Sequence, residues 1–147
     1  MGKRRKAREL VLQSMYAENM AEKQTDEIID DIMVSIQTDK DILEFAEKLF
    51  RKVIRFKLEL DEEIATMLEN WDLGRIALMD RLILRLALCE LLYFEEIPPK
   101  VTLNEAIDLA KKFSTSESGR FVNGILDALY KKCNDEKRIV KTGRGLM

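Results

Sequence analysis

A chain of 147 residues with 25 Lys and Arg against 27 Asp and Glu, two cysteines, six glycines, two prolines and no histidine has the length of one domain or of two small joined ones. Its 46% hydrophobic and 35% charged residues supply both a core and a charged surface, which excludes a disordered, collagenous or disulfide-knit chain. Without histidine the commonest proton-transfer group and metal ligand is missing, and Cys89 and Cys133 form no CxxC pair, so no catalytic residue, metal site or cofactor is expected. The basic N-terminus is followed by no apolar leader region, and the most apolar stretch, Leu82 to Phe94, is interrupted by Arg85 and Glu90 and is shorter than the roughly 20 residues a bilayer needs. A reducing, cytoplasmic setting without membrane contact is expected.

After Gly2 no glycine or proline occurs before Gly74, so long helices with few breaks are predicted. The helical segments fall near 3–20, 25–37, 40–58, 60–70, 73–78, 80–94, 103–113 and 116–133, and no strand pattern competes with them. Ile42, Phe45, Ala46, Leu49, Phe50, Val53 and Ile54 recur at the three-and-four spacing of a helix that buries one face. Thr38-Asp39 can cap the long middle segment, and Asp72 the short one after Trp71. Thr102 with Glu105 has the spacing of a capping box, with Val101 and Ala106 as its hydrophobic staple, and Ser114 with Glu117 offers the same pairing for the last helix. The final residues, 141–147, read as a frayed, disordered tail.

Charge is unevenly spread: residues 1–17 carry +4, 18–69 carry −8, 70–100 carry −1 and 101–147 carry +3. Basic ends around an acidic middle suit a polyanion-binding surface built from the two termini. On the first helix, at about 100° per residue, Ala7, Leu10, Val11, Ser14 and Ala17 share one side, and Arg5, Arg8, Glu9, Leu12, Gln13 and Tyr16 fall within an arc of about 140° on the other. Arginine brings paired donors for phosphate, glutamine an amide for a base edge, and tyrosine a ring for stacking. The plainer alternative is a solvated basic end on a core helix. Near the other end, Asn123 and Gly124 sit inside a helix despite poor propensity, Gly costing close to 1 kcal/mol relative to Ala. Close helix packing is favoured for Gly124 over approach by a ligand; for Asn123 the two are even.

The residues also carry a resemblance. Lys3 to Glu9 with Gln13 and Tyr16, then Trp71, Asp80-Arg81, Ile83 to Ala87 and Glu90, then Pro98, Val101, Asn104-Glu105-Ala106 and Ala110-Lys111, and finally Ser118 with Phe121 to Asp127, occur in the order of the NusB family of bacterial transcription antitermination factors. Over nearly its whole length the chain resembles that family. The resemblance implies an all-α, NusB-like bundle of about seven helices, one RNA-binding domain over 1–140 with subdomains of roughly 1–70 and 71–140. It implies binding of the single-stranded boxA element of ribosomal RNA transcripts together with NusE, a small-subunit ribosomal protein, within an antitermination complex of RNA polymerase. Carried over position by position, Lys3, Arg4, Arg5, Arg8, Gln13 and Tyr16, with Lys111, Arg120, Phe121 and Asn123, are the expected RNA-facing residues. The segment holding Asp80, Leu84, Leu88 and Leu91, with the turn from Pro98 to Val101, corresponds to the region that meets NusE, and apolar surface there would equally suit a homodimer. The alternatives are a helical adaptor that binds proteins but no specific RNA, and an enzyme domain of the kind that precedes an RNA methyltransferase; the 147 residues show no βαβ pattern or Gly-rich cofactor loop for the latter.

Overall fold

The computed structural model describes residues 2–36, 38–68 and 76–147. Among them are seven α-helices and no strand: α1 (Gly2–Ala21), α2 (Thr25–Ile28) running into a π-turn (Ile29–Val34), α3 (Lys40–Arg55), α4 (Lys57–Ala65), α5 (Leu78–Tyr93), α6 (Pro99–Phe113) and α7 (Ser116–Asp135), with a closing 3-10 turn (Gly143–Leu146). Trp71, Asp72 and the first half of the helix predicted over 73–78 lie outside the described residues; of the rest, Ile76 and Ala77 are not helical and Leu78 begins α5. No described helix is long and apolar enough to cross a membrane.

The chain divides into two compact units, Met1–Arg55 and Phe56–Met147. The boundary expected near residue 70 falls earlier because Phe56 breaks the helix predicted over 40–58, and α4 then packs on α5 and α7. In the first unit α1 packs on α3, whose predicted apolar face is buried from Ile42 to Val53. Asp39 accepts the Asp41 N–H at 2.7 Å, which caps the start of α3 as its position foretold.

The second unit is built around α5, whose residues 82–91 are all buried, as a helix apolar on nearly every side must be. Three ionisable residues go under with it, and each finds a partner on another element. Arg85 is held by Asp61 of α4 through two hydrogen bonds of 2.8 and 3.0 Å. Glu90 accepts the Thr102 hydroxyl of α6 at 2.9 Å. Asp80 accepts the Ser118 hydroxyl of α7 at 3.0 Å. Phe56 and Tyr93 stack with centroids 4.2 Å apart.

Two helix starts differ from expectation. α6 begins at Pro99, whose fixed φ and missing N–H suit a first turn, so Thr102 lies inside the helix and its hydroxyl serves Glu90 instead of a cap. α7 is capped by Thr115, one residue beyond Ser114, with the Ser118 N–H donating to its Oγ1 at 3.1 Å. The tail is also docked: Lys141 Nζ donates to the carbonyls of Glu90 and Phe94 at 3.2 and 2.8 Å, and the Thr142 N–H donates to Glu95 O at 3.0 Å. A cation over the last carbonyls of α5 adds a second donor to acceptors that also take the Phe94 and Ile97 N–H groups, and it suits the negative end of the helix dipole.

Glu63 of α4 accepts hydrogen bonds from Arg138 and from Lys132, the latter at 3.5 Å. Burial pushes its carboxyl pKa up, but Arg138 and Lys132 outweigh this and leave it below the ordinary 4.5. The folded value being the lower one, the pairing contributes its full stability above pH 4.5 and loses it as pH falls through the folded value. The difference in urea midpoint between wild type and Glu63→Gln is therefore expected to shrink between about pH 6 and about pH 3. Thr102→Val, which removes a buried donor from Glu90, is expected to lower the unfolding free energy by about 1 to 3 kcal/mol at an unchanged urea m-value.

Candidate nucleic-acid interface

In the first unit the relevant element is α1. Its buried stripe is Ala7, Arg8, Val11, Leu12, Ser14 and Met15, turned by roughly a quarter of the circumference from the apolar face expected. The exposed stripe runs through Arg5, Gln13, Tyr16 and Met20, with the half-buried Glu9 between them, within an arc of about 80°. Guanidinium, carboxamide and phenol thus share one solvent-facing strip, with Tyr16 43% exposed.

Two of the expected RNA-facing cations are otherwise engaged. Arg8 is 2% exposed, with its guanidinium 5.6 Å from the centroid of the Phe45 ring on α3, and this burial removes it from the contact surface. Lys3 pairs with Asp39 at 2.9 Å and Asp41 at 3.3 Å; the Asp39 hydrogen bond raises its pKa above the usual lysine value. Arg4, one turn before Arg8, remains exposed with its guanidinium 4.3 Å from the same Phe45 ring. Phe45 is therefore flanked by two cations that fix the basic end of α1 on α3.

In the second unit Lys111, Arg120 and Asn123 are exposed and Phe121 is half-buried, at and near the corner where α6 turns into α7. A Cβ on Gly119 would lie 3.2 Å from Lys111 Cγ, so the absence of a side chain there lets the Lys111 stem lie against α7. Gly124 is exposed with no heavy atom within 4 Å of a would-be Cβ, which overturns close packing as its reason. Lys112 and Phe113 continue the cluster begun by Lys111 but are not among the RNA-facing residues that the resemblance implies. Lys112 Nζ stands 5.4 Å from the centroid of Phe113, which is 41% exposed. The signal was available, since an aromatic beside two lysines at a helix end is poorly placed for a core.

The residues expected to meet NusE lie inside the unit. Leu84, Leu88 and Leu91 have no exposed surface, and Asp80 is 6% exposed and bonded to Ser118, so none is presented to a partner. The apolar run of α5 is core packing, and the argument for a homodimer from that surface lapses with it. Of the turn from Pro98 to Val101, Val101 is the exposed apolar residue. Cys89 and Cys133 are fully buried, and desolvation pushes the Cys133 thiol up to about 11, far from a reactive thiolate.

The chain matches the NusB family over residues 5–131. It is 43% identical over 148 residues to the transcription antitermination protein NusB of Salinibacter ruber, covering all of this chain and 92% of that one. Among solved structures, NusB of T. maritima superposes with a TM-score of 0.80 at 36% identity, covering 88% of this chain and 91% of that one. The crystal structure of the antitermination factors NusB and NusE in complex with dsRNA contains a chain that superposes at 0.81 with 28% identity, covering 90% of this chain and 98% of that one. With helix order, motif order and both comparisons in agreement, this chain belongs to the NusB family.

Proposed function

We propose that this protein is a transcription antitermination factor that binds the single-stranded boxA element of nascent ribosomal RNA together with NusE, and so promotes read-through by RNA polymerase in the cytoplasm. The observation that carries the reading is the exposed strip of α1, where Arg5, Gln13 and Tyr16 line up as phosphate, base-edge and stacking groups. The names of its NusB relatives and the solved complex of NusB and NusE with dsRNA support it.

Arg4, Arg5, Gln13 and Tyr16 on α1, and Lys111, Arg120, Phe121 and Asn123 on α6 and α7, form the proposed contact set, joined by Lys112 and Phe113. Arg8 acts behind the α1 strip by holding that helix on Phe45. Lys3 enters only by leaving its carboxylate partners for phosphate. NusE is met outside the buried face of α5, with Val101 as an apolar contact.

Each phosphate neutralised on a single strand contributes about −0.7 to the slope of log affinity against log salt, so four contacts give a slope near −3. Arg5→Ala is expected to weaken boxA binding and flatten that slope by about 0.7, whereas Tyr16→Ala lowers affinity by on the order of tenfold at every salt concentration. Filter binding with boxA and scrambled RNA checks both. Equal affinities for the two RNAs at moderate salt would favour a protein-binding adaptor instead. Saturating NusE is expected to tighten boxA binding, and boxA to tighten NusE binding by the same factor, in a calorimetric cycle.

A further inference from the structure

Helices α6 and α7 and the docked C-terminal segment enclose a groove of about 730 Å³ in the second unit. Its polar lining combines two lysines, Lys100 of α6 and Lys141 of the tail, with neutral groups: Asn104 comes from α6, and Asn123, Tyr130 and Asn134 come from α7. The spacing of seven and four residues on α7 puts those three on one helix face. Val140 and Leu146, 53% and 74% exposed, add an apolar wall from the tail. No Asp or Glu lines the groove, in a chain that has 27 of them.

The tail wall is held in place by the main chain around the end of α5. Lys141 is committed to the carbonyls of Glu90 and Phe94, which removes its ammonium as a phosphate ligand. Gly145 is buried so closely on the turn after α5 that a Cβ there would lie 1.9 Å from Glu95 O. The groove is consequently a fixed concavity rich in carboxamides, of a volume suited to a small ligand.

We propose that this groove is a subsite for one unpaired nucleobase of the bound RNA. Carboxamides offer a donor and an acceptor together, the pattern that a base edge complements, and Tyr130 with the aliphatic tail wall supplies apolar contact for the base. Asn123 is shared between the groove and the RNA surface proposed above, so a strand following α7 passes from one to the other. The inference rests on that RNA-binding reading. Because Asn104, Asn123, Tyr130 and Asn134 are neutral, their contacts add affinity and base preference without adding to the salt dependence, which Lys100 alone of the lining could raise by meeting a phosphate.

The test uses the full chain and a short single-stranded boxA RNA, unmodified or with one abasic site placed at each position in turn, read by fluorescence anisotropy at several salt concentrations. Asn134→Ala, an exposed position, is expected to weaken binding about fivefold with the salt slope unchanged. One abasic position should cost wild type a similar factor and cost Asn134→Ala nothing further. Gly145→Ala, which displaces the tail wall while leaving α6 and α7 intact, should reproduce the loss. Wild-type affinity in Asn134→Ala beside a weakened Arg5→Ala would overturn the subsite and leave the RNA reading standing. If Arg5→Ala and Asn134→Ala both bind as wild type does, both readings fall.

Discussion

The second unit is organised by a cost that α5 imposes on every neighbour. A helix sunk in the core with an aspartate, an arginine and a glutamate along it is tolerable only when each of those groups is met by a partner of fitting chemistry. Asp61 of α4, Thr102 of α6 and Ser118 of α7 do this, and Lys141 covers the carbonyls at the end of α5. Each partner comes from a different element, so satisfying the polar groups fixes where four separate segments stand around one axis. Hydrophobic burial supplies the drive to collapse, whereas these pairings select one arrangement among the many that would bury the same leucines.

That division explains what was readable beforehand. Helical content, the buried face of α3 and the Asp39 cap follow from local spacing, and all three are found. The start of α6 was misplaced because Thr102 and Glu105 have a capping-box spacing, while the hydroxyl's real partner, Glu90, is twelve residues away in sequence and unrelated by any period. The apolar run of α5 marks a core helix and is one; the expectation that Leu84, Leu88 and Leu91 meet NusE comes from the resemblance, which places a segment without saying which of its side chains face outward. The docked tail was illegible for a similar reason: its anchors are main-chain carbonyls, which leave no trace in residue identity.

At the proposed RNA face the residue types were legible and their orientation less so. Arg5, Gln13 and Tyr16 stand on one strip as expected, and Lys111, Arg120 and Asn123 are exposed. Arg8 broke the pattern because a cation was taken as a mark of solvent, although a guanidinium can be buried where an aromatic ring and its own methylene stem provide company. Close packing does not explain Gly124, which has open space where a side chain would stand.

The paired guanidiniums on Phe45 have a further effect on α1. A helix clamped by successive turns cannot roll about its axis, so Arg5 and Tyr16, eleven residues apart and separated by about 16 Å of helical rise, keep a constant interval and a constant bearing. Such a strip behaves as a stiff gauge. A flexible polymer laid along it gives up its own freedom while the protein surrenders almost none, which lowers the entropic toll of association and penalises any strand whose groups are spaced to another measure.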